Sequence, residues 1–110
     1  MENDGIKLRI GDYFFTWDDR KRQKNIEKHE GITFEMAAEI FFDSGMVVSD
    51  PYRRNGEWRR DTIGRPFDYE MILFVVITER VNFNGLDVIR IISARRADSD
   101  EKGDYYESQG

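Results

Sequence analysis

Two apolar stretches decide the fold, YEMILFVVIT at residues 69–78 and LDVIRIISARR at residues 86–96. The first is apolar almost throughout, as expected for a central strand that is covered on both faces, and it is too short to span a membrane. Between the two lies NFNG at residues 82–85, in which Asn84-Gly85 is a hairpin signal. The sequence therefore predicts two neighbouring antiparallel strands at the centre of a sheet.

The chain before this hairpin predicts shorter strands. GIKLRIGDYFFTW at residues 5–17 alternates weakly and indicates one strand, or a pair of short strands, that ends near Trp17. MVVS at residues 46–49 and RRDTIG at residues 59–64 predict two more strands. We interpret DPYRRNGE, residues 50–57, as the loop between them.

Two helices are predicted between the first strands and the hairpin. Asp18 can cap a helix near residues 18–30, and Thr33 can cap a second helix near residues 33–42. The second helix has the i, i+3, i+4, i+7 stripe of a buried amphipathic helix, formed by Phe34, Ala37, Ala38 and Phe41. This helix is therefore expected to pack on the core.

The other helical segments are more polar. The first helix has Ile26 as its only aliphatic residue, so we expect it on the surface, anchored by Trp17 and Ile26, with its basic side chains available. DSDEKGDYYES at residues 98–108 begins with a capping pattern, in which Ser99 or Asp98 precedes Glu101, and predicts a short final helix.

Together these elements predict an α+β fold. A chain of 110 residues fits one domain, residues 1–110, around a single core. We expect an antiparallel twisted sheet with the two N-terminal helices packed on one face, a short C-terminal helix, and the other face open.

Composition excludes several kinds of site. The chain has no cysteine, which excludes disulfides, a thiolate nucleophile and thiolate zinc ligands, and it has one histidine, His29. We predict no metal and no other cofactor. The sequence shows no signal peptide and no segment long enough to cross a membrane, so the expected location is the cytoplasm, with no membrane partner.

Charge is segregated along the chain. The net charge is −5, yet residues 17–29, 53–65 and 79–96 carry local net charges of +2, +3 and +2. Residues 30–50 hold five carboxylates and no Lys or Arg, and residues 98–107 have a net charge of −4. Such segregation is typical of a protein with one basic working face, although runs this short are also common on merely solvated faces.

Several motifs in this order resemble the BrnT family of type II toxins. FTWDDRKRQKNIEKHEGITFEMAAEIFFD at residues 15–43 contains the family's W-D, N-x-x-K-H, T-F-E-x-A and F-x-D patterns. A TIG strand follows, and VIRIISARRADSDEKGDYYE at residues 88–107 contains R-I-I-S-A-R. The resemblance covers roughly residues 14–107, and the combined spacing is far more specific than any single motif.

The resemblance implies a RelE-like microbial ribonuclease fold and a toxin that cleaves RNA without a metal ion and inhibits translation. It also implies neutralisation by a BrnA-type antitoxin, a ribbon-helix-helix protein, with a heterotetramer of toxin and antitoxin as one expected assembly. Operator DNA would be bound only through the antitoxin. The alternative is a catalytically inactive RNA- or protein-binding module with the same fold.

Metal-free RNA cleavage needs a base for the 2′-hydroxyl proton, cations for the phosphorane and an acid for the leaving 5′-oxygen. Arginine suits the second task, because its guanidinium stays charged and can hold two phosphate oxygens. The candidates on the predicted strands are Arg60, Arg80, Arg90 and Arg95. We favour Arg60 and Arg90, although strand arginines also deter edge aggregation or pair with nearby carboxylates.

His29 is the natural candidate for proton transfer, because its ordinary pKa lies near neutrality. It can equally satisfy carbonyl groups at the end of the first helix. Glu35 is a further candidate base, although a first-turn glutamate is more often a partner of the helix dipole.

Substrate binding is predicted for the remaining basic segments. RRNGEWRR at residues 53–60 places Trp58 among arginines, which suits base stacking beside phosphate contacts, or else a hydrophobic plug over the sheet. The predicted RNA-binding residues are Lys21, Lys24, Lys28, Arg53, Arg54, Trp58 and Arg59.

Overall fold

A computed structural model describes residues 5–109, which form one seven-stranded sheet, three α-helices and a single 3₁₀ turn. In chain order the elements are β1 (Leu8–Ile10), β2 (Tyr13–Thr16), α1 (Asp19–Lys28), α2 (Phe34–Glu39), the 3₁₀ turn (Ile40–Phe42), β3 (Val47–Val48), β4 (Tyr52–Arg54), β5 (Glu57–Gly64), β6 (Leu73–Val81), β7 (Asp87–Arg96) and α3 (Ser99–Gln109). None of the helices in this part of the chain is long and apolar enough to cross a membrane.

The sheet has the strand order β1-β2-β7-β6-β5-β3, and β4 also pairs with β5. The predicted hairpin is confirmed, since β6 and β7 are antiparallel neighbours at the centre. The prediction of a wholly antiparallel sheet is wrong, because β2 runs parallel to β7. Parallel pairing needs a long connection, and the whole of α1 to β6 lies between these two strands.

Residues 50–57 are not the simple loop that was predicted. Tyr52–Arg54 pairs with the start of β5, and the intervening turn places Asn55 and Gly56 at φ values of 53° and 77°. Two successive residues with positive φ are characteristic of a type I′ hairpin turn. This segment is therefore a second β-hairpin at the edge of the sheet.

The main core lies on one face of the sheet, which we call the helix face. There α2 and the 3₁₀ turn pack against β2, β6 and β7. The buried residues include Phe15, Phe34, Ala37, Ala38, Ile40, Leu73, Val75, Ile77, Ile91 and Ala94. Helix α1 also contacts β7 and begins two residues after Trp17, whose ring packs against that of Phe34.

The opposite face is only partly open, contrary to the expectation. Helix α3 contacts β5 and β3, and its Tyr105 packs with Ile63, Ile72 and Ala97. The Tyr105 hydroxyl donates a hydrogen bond of 2.6 Å to Asp43. The remainder of this surface, beyond α3, we call the open face.

The predicted helix caps are present. Asp18 accepts hydrogen bonds from two backbone N–H groups at the start of α1, and Thr33 accepts one at the start of α2. Asp98 and Glu101 exchange reciprocal bonds at the start of α3, so Asp98, not Ser99, is the capping residue. Such bonds satisfy donors that the first helical turn leaves unpaired.

Helix α1 is attached by a residue that the sequence did not single out. Asn25 is buried, with 6% of its surface exposed, whereas Ile26 is only half-buried. The Asn25 amide donates to the backbone oxygens of Ala94 at 2.7 Å and Ile32 at 3.0 Å, and its Oδ1 accepts from the Ala94 N–H at 3.0 Å. Asn25 thus occupies the edge of β7 beyond the point where β2 ends.

Candidate functional site

Cross-strand pairing decides which arginines share a face. Ile77 and Ile91 pair within the helix-face core, so the next pair along, Thr78 and Arg90, projects onto the open face. The same alternation puts Arg80 on the open face. On β5, Arg60 pairs with Ile77 and therefore lies on the helix-face side, whereas its neighbour Arg59 lies on the open face.

A β-bulge brings Arg95 onto the same side as Arg90. The β6–β7 register shifts between Val76 and Ile77, so that Val76 pairs with Ser93 and Phe74 pairs with Arg95. The Arg95 guanidinium lies 4.4 Å from the centre of the Phe74 ring. Without the extra residue, strict alternation would send Arg95 to the helix face. Arg90 and Arg95 are consequently about 13 Å apart along one face of β7.

A pocket of about 490 Å³ lies where the open face meets the start of α1. Its charged lining residues are Lys7, Asp18, Arg80 and Arg90. Arg90 Nη1 is buried and has no hydrogen-bond partner within residues 5–109. A buried guanidinium nitrogen normally has an acceptor, so this pocket suits an anionic oxygen from a ligand.

Asp18, the carboxylate among the lining residues of this pocket, is also the residue that caps α1. A backbone hydrogen bond from Lys21 is the largest influence on the pKa of Asp18, and together with the Arg20 N–H and the charge of Arg90 it lowers that pKa despite burial. Asp18 therefore remains a carboxylate near neutral pH. A second pocket of about 510 Å³ adjoins the first and shares Arg80, but Arg90 does not line it.

Glu57 links two arginines of the open face. Its Oε1 accepts from Arg59 Nε at 3.0 Å and its Oε2 accepts from Arg80 Nη2 at 2.9 Å. Burial alone would raise the pKa of Glu57, but the hydrogen bonds from Arg80 and Arg59 outweigh it and hold that pKa below its usual value. Glu57 is therefore ionised, and each carboxylate oxygen serves a different arginine.

Tyr52 lies beside this group of residues, on the neighbouring strand β4. Its hydroxyl donates a hydrogen bond of 2.6 Å to Asp61 on β5. Burial, reinforced by the Asp61 carboxylate, raises the pKa of Tyr52 to about 12. The hydroxyl thus keeps its proton at physiological pH, and its hydrogen bond to Asp61 links β4 to β5.

Arg95 lies at the end of the open face away from the Arg90 pocket, and His29 is near it at the end of α1. Arg95 makes a bidentate ion pair with Glu101 of α3, with N–O distances of 2.8 and 2.9 Å. His29 ends α1, and burial lowers its pKa, with further lowering by the charges of Lys28 and Arg95. The imidazole is therefore neutral at neutral pH and able to accept a proton.

Two other predicted catalytic residues lie away from this face. Arg60 donates to Glu79 at 3.1 Å and to the Ser49 carbonyl oxygen at 3.1 Å. Glu35 forms a bidentate ion pair with Arg22 at 2.9 and 3.0 Å. The strand arginines therefore do not converge on one phosphate as expected, because the register separates Arg60 from Arg80, Arg90 and Arg95.

The predicted RNA-binding residues fall into three groups. Trp58 is 57% exposed, and Arg53 stacks on its ring at 5.3 Å, on the same side of β5 as Arg60. Arg54 and Arg59 lie on the open-face side of the β4–β5 hairpin. The exposed lysines of α1 are Lys21, Lys24 and Lys28. These groups cannot all contact one short RNA segment.

Sequence reasoning missed the polar residues that lie among the arginines, namely Glu57, which accepts from Arg59 and Arg80, and the hydrogen-bonded pair Tyr52 and Asp61. The Asn55-Gly56 turn was the available signal, since a hairpin there places the start of β5 beside β4. Within residues 5–109, no three His, Asp or Glu side chains are grouped so that they could hold a metal ion.

The family model for the ribonuclease toxin BrnT of type II toxin-antitoxin systems matches residues 17–101. The chain therefore belongs to the BrnT family of ribonuclease toxins. The match includes α1, the whole central sheet from β5 to β7, and the residues of the open face that those elements carry. No curated protein matches the chain. Membership of a type II system implies an antitoxin partner.

Proposed function

We propose that this protein is a metal-independent endoribonuclease that cleaves RNA on the open face and so inhibits translation. The observation that carries the proposal is the buried, unpartnered Nη1 of Arg90, in a pocket that Arg80 and Lys7 also line. In a ribonuclease family, the anion expected at such a nitrogen is an RNA phosphate.

The open face has candidates for neutralising the charge that develops during cleavage. The 2′-oxygen attacks phosphorus while a base takes its proton, and the bond to the 5′-oxygen breaks as that oxygen gains a proton. Arg80 and Arg90 would neutralise the phosphorane, a task that arginine performs without changing protonation state. His29 is not the base for a phosphate held there, because it lies beside Arg95, about 13 Å along β7 from Arg90 and at the other end of α1 from the pocket. Solvent water would take the 2′-hydroxyl proton and return one to the 5′-oxygen.

We further propose that the partner is a BrnA-type ribbon-helix-helix antitoxin that covers the open face. An antitoxin that occupies the Arg90 pocket would exclude RNA by competition. Binding to operator DNA would then belong to the antitoxin, and a toxin-antitoxin heterotetramer is the assembly to look for by light scattering of the co-purified complex.

Expressed alone in a bacterium, the protein is expected to arrest growth, and the purified protein is expected to cut single-stranded RNA in excess EDTA. Growth curves and gel analysis of a labelled RNA give the two measurements. RNA that is shifted in a gel but never cut would instead support an inactive binding module. Cleavage that disappears in EDTA and returns with added metal would contradict metal independence.

The pH dependence of cleavage tests the role of His29. Because the His29 pKa is lowered in the folded protein, a base at His29 would give the rate profile an acidic limb below the ordinary histidine value of about 6.5. For a phosphate in the Arg90 pocket, we expect His29→Gln to leave the rate profile unchanged. Loss of an acidic limb in His29→Gln would place the scissile phosphate at the Arg95 end of β7.

A further inference from the structure

The strongest unassigned feature of the open face is the carboxylate that joins its arginines. If the β5–β6 register is continued by three residues from the pair Arg60 and Ile77, Glu57 stands opposite Arg80. The Glu57 side chain is 27% exposed, and that of Arg59 only 17%. The two ion pairs of Glu57 are thus partly shielded from water and are anchored on two adjacent strands.

A carboxylate at this place is electrostatically unfavourable for a surface that binds a polyanion. It repels phosphate and cancels one of the two positive charges beside it. Its ion pairs also help to restrict the rotamers of two long side chains, and a preorganised guanidinium stabilises a transition state better than a mobile one. The repulsion acts on KM and the preorganisation acts on kcat, so the two effects can be separated.

We infer that Glu57 is a positioning residue, which holds Arg59 and Arg80 in the orientation that the phosphorane requires. This inference rests on the proposed function of the open face. Arg59 donates to Glu57 through its Nε, so this hydrogen bond uses neither of its terminal nitrogens. Glu57 itself neither contacts RNA nor transfers a proton.

The test compares Glu57→Gln with Glu79→Gln in steady-state cleavage of a short fluorogenic single-stranded RNA. Both substitutions remove one carboxylate that pairs with a strand arginine, but Glu79 pairs with Arg60 on the helix-face side. Glu57→Gln should lower kcat by roughly tenfold or more while KM stays the same or falls, because a repulsive charge is lost. Glu79→Gln should change each parameter by less than about twofold.

Two results would overturn the inference: wild-type kcat in Glu57→Gln, or a raised KM with unchanged kcat. Thermal unfolding of both variants controls for folding. If Glu57→Gln does not fold, Glu57→Asp keeps the charge but is too short to reach both arginines, and full kcat in that variant would equally refute positioning.

A measurement without RNA separates this inference from the proposed function. NMR relaxation of arginine Nε–H groups should show that Arg59 and Arg80 become more mobile in Glu57→Gln and unchanged in Glu79→Gln. If the wild type fails to cleave RNA but this difference appears, the proposed function is wrong, although Glu57 still restrains the two arginines. If the wild type cleaves and the difference is absent, the positioning is wrong.

Discussion

Arg90→Ala is expected to lower the rate of RNA cleavage by about a hundredfold to a thousandfold, whereas Arg60→Ala should lower it by roughly threefold or less. The reason is their placement on opposite sides of the sheet. Arg90 lines the open-face pocket with a buried, unpartnered nitrogen, while Arg60 is satisfied by Glu79 and the Ser49 carbonyl oxygen. The measurement is single-turnover cleavage of a labelled RNA, with growth arrest as the readout in cells.

Arg60→Ala is a matched control, since it removes the same charge from a neighbouring strand of the same sheet. Arg90→Lys is a second control, because lysine keeps the charge but cannot present the planar pair of donors. We expect this variant to recover only a small part of the activity. A large loss in Arg60→Ala with full activity in Arg90→Ala would place the site on the Trp58 side of the sheet.

Asn25→Ala is expected to lower the free energy of unfolding by about 3 to 5 kcal/mol. The substitution removes three hydrogen bonds and leaves the buried N–H and carbonyl oxygen of Ala94 without partners. It would also loosen α1, the helix that carries His29 at its end. Urea denaturation followed by circular dichroism gives the free energy directly.

Gln23→Ala is the control for this prediction. It removes an amide from the same helix, but the Gln23 side chain is exposed and bonds only to Glu27 within the described chain. Its effect should be below about 1 kcal/mol. Equal unfolding midpoints for the two variants would show that the Asn25 contacts contribute little to holding α1 on β7.

The central hairpin could be predicted from the sequence because every local signal there agrees. Residues 73–81 and 87–96 are rich in β-branched residues, and the turn between them contains Asn-Gly. The helix starts were equally readable, since caps such as Asp18 and Thr33 act within one helical turn. The family resemblance came from the same segments, because its motifs lie on α1, α2 and β7.

The rest of the fold depends on contacts between distant segments. The parallel pairing of Phe15 with Ile89 leaves no local signature, and the polar Asn25 gives no sign that it is buried. For the second hairpin a local signal did exist, the Asn55-Gly56 pair, but the charged residues around it favoured a loop interpretation.

For the site, the sequence indicated arginine as the residue type but not its geometry. The faces of Arg90 and Arg95 depend on one extra residue in β7, and no alternation pattern reveals where a bulge falls. Arg60 and Arg90 were favoured together for a different reason, because the sequence does not give the strand register that puts them on opposite faces.

The parallel pairing of β2 with β7 also determines the stage of translation at which the Arg90 pocket can form. Residues 15–16 pair with residues 89–90, and Asn25 completes its bonds only with Ala94, so the two ends of the chain depend on each other. Contacts of such long sequence separation form late. During translation, β2 and α1 cannot complete their contacts until β7 has been synthesised. The Arg90 pocket is therefore assembled only after β7 has been made, and under the proposed function a nascent chain that lacks β7 would not cleave RNA.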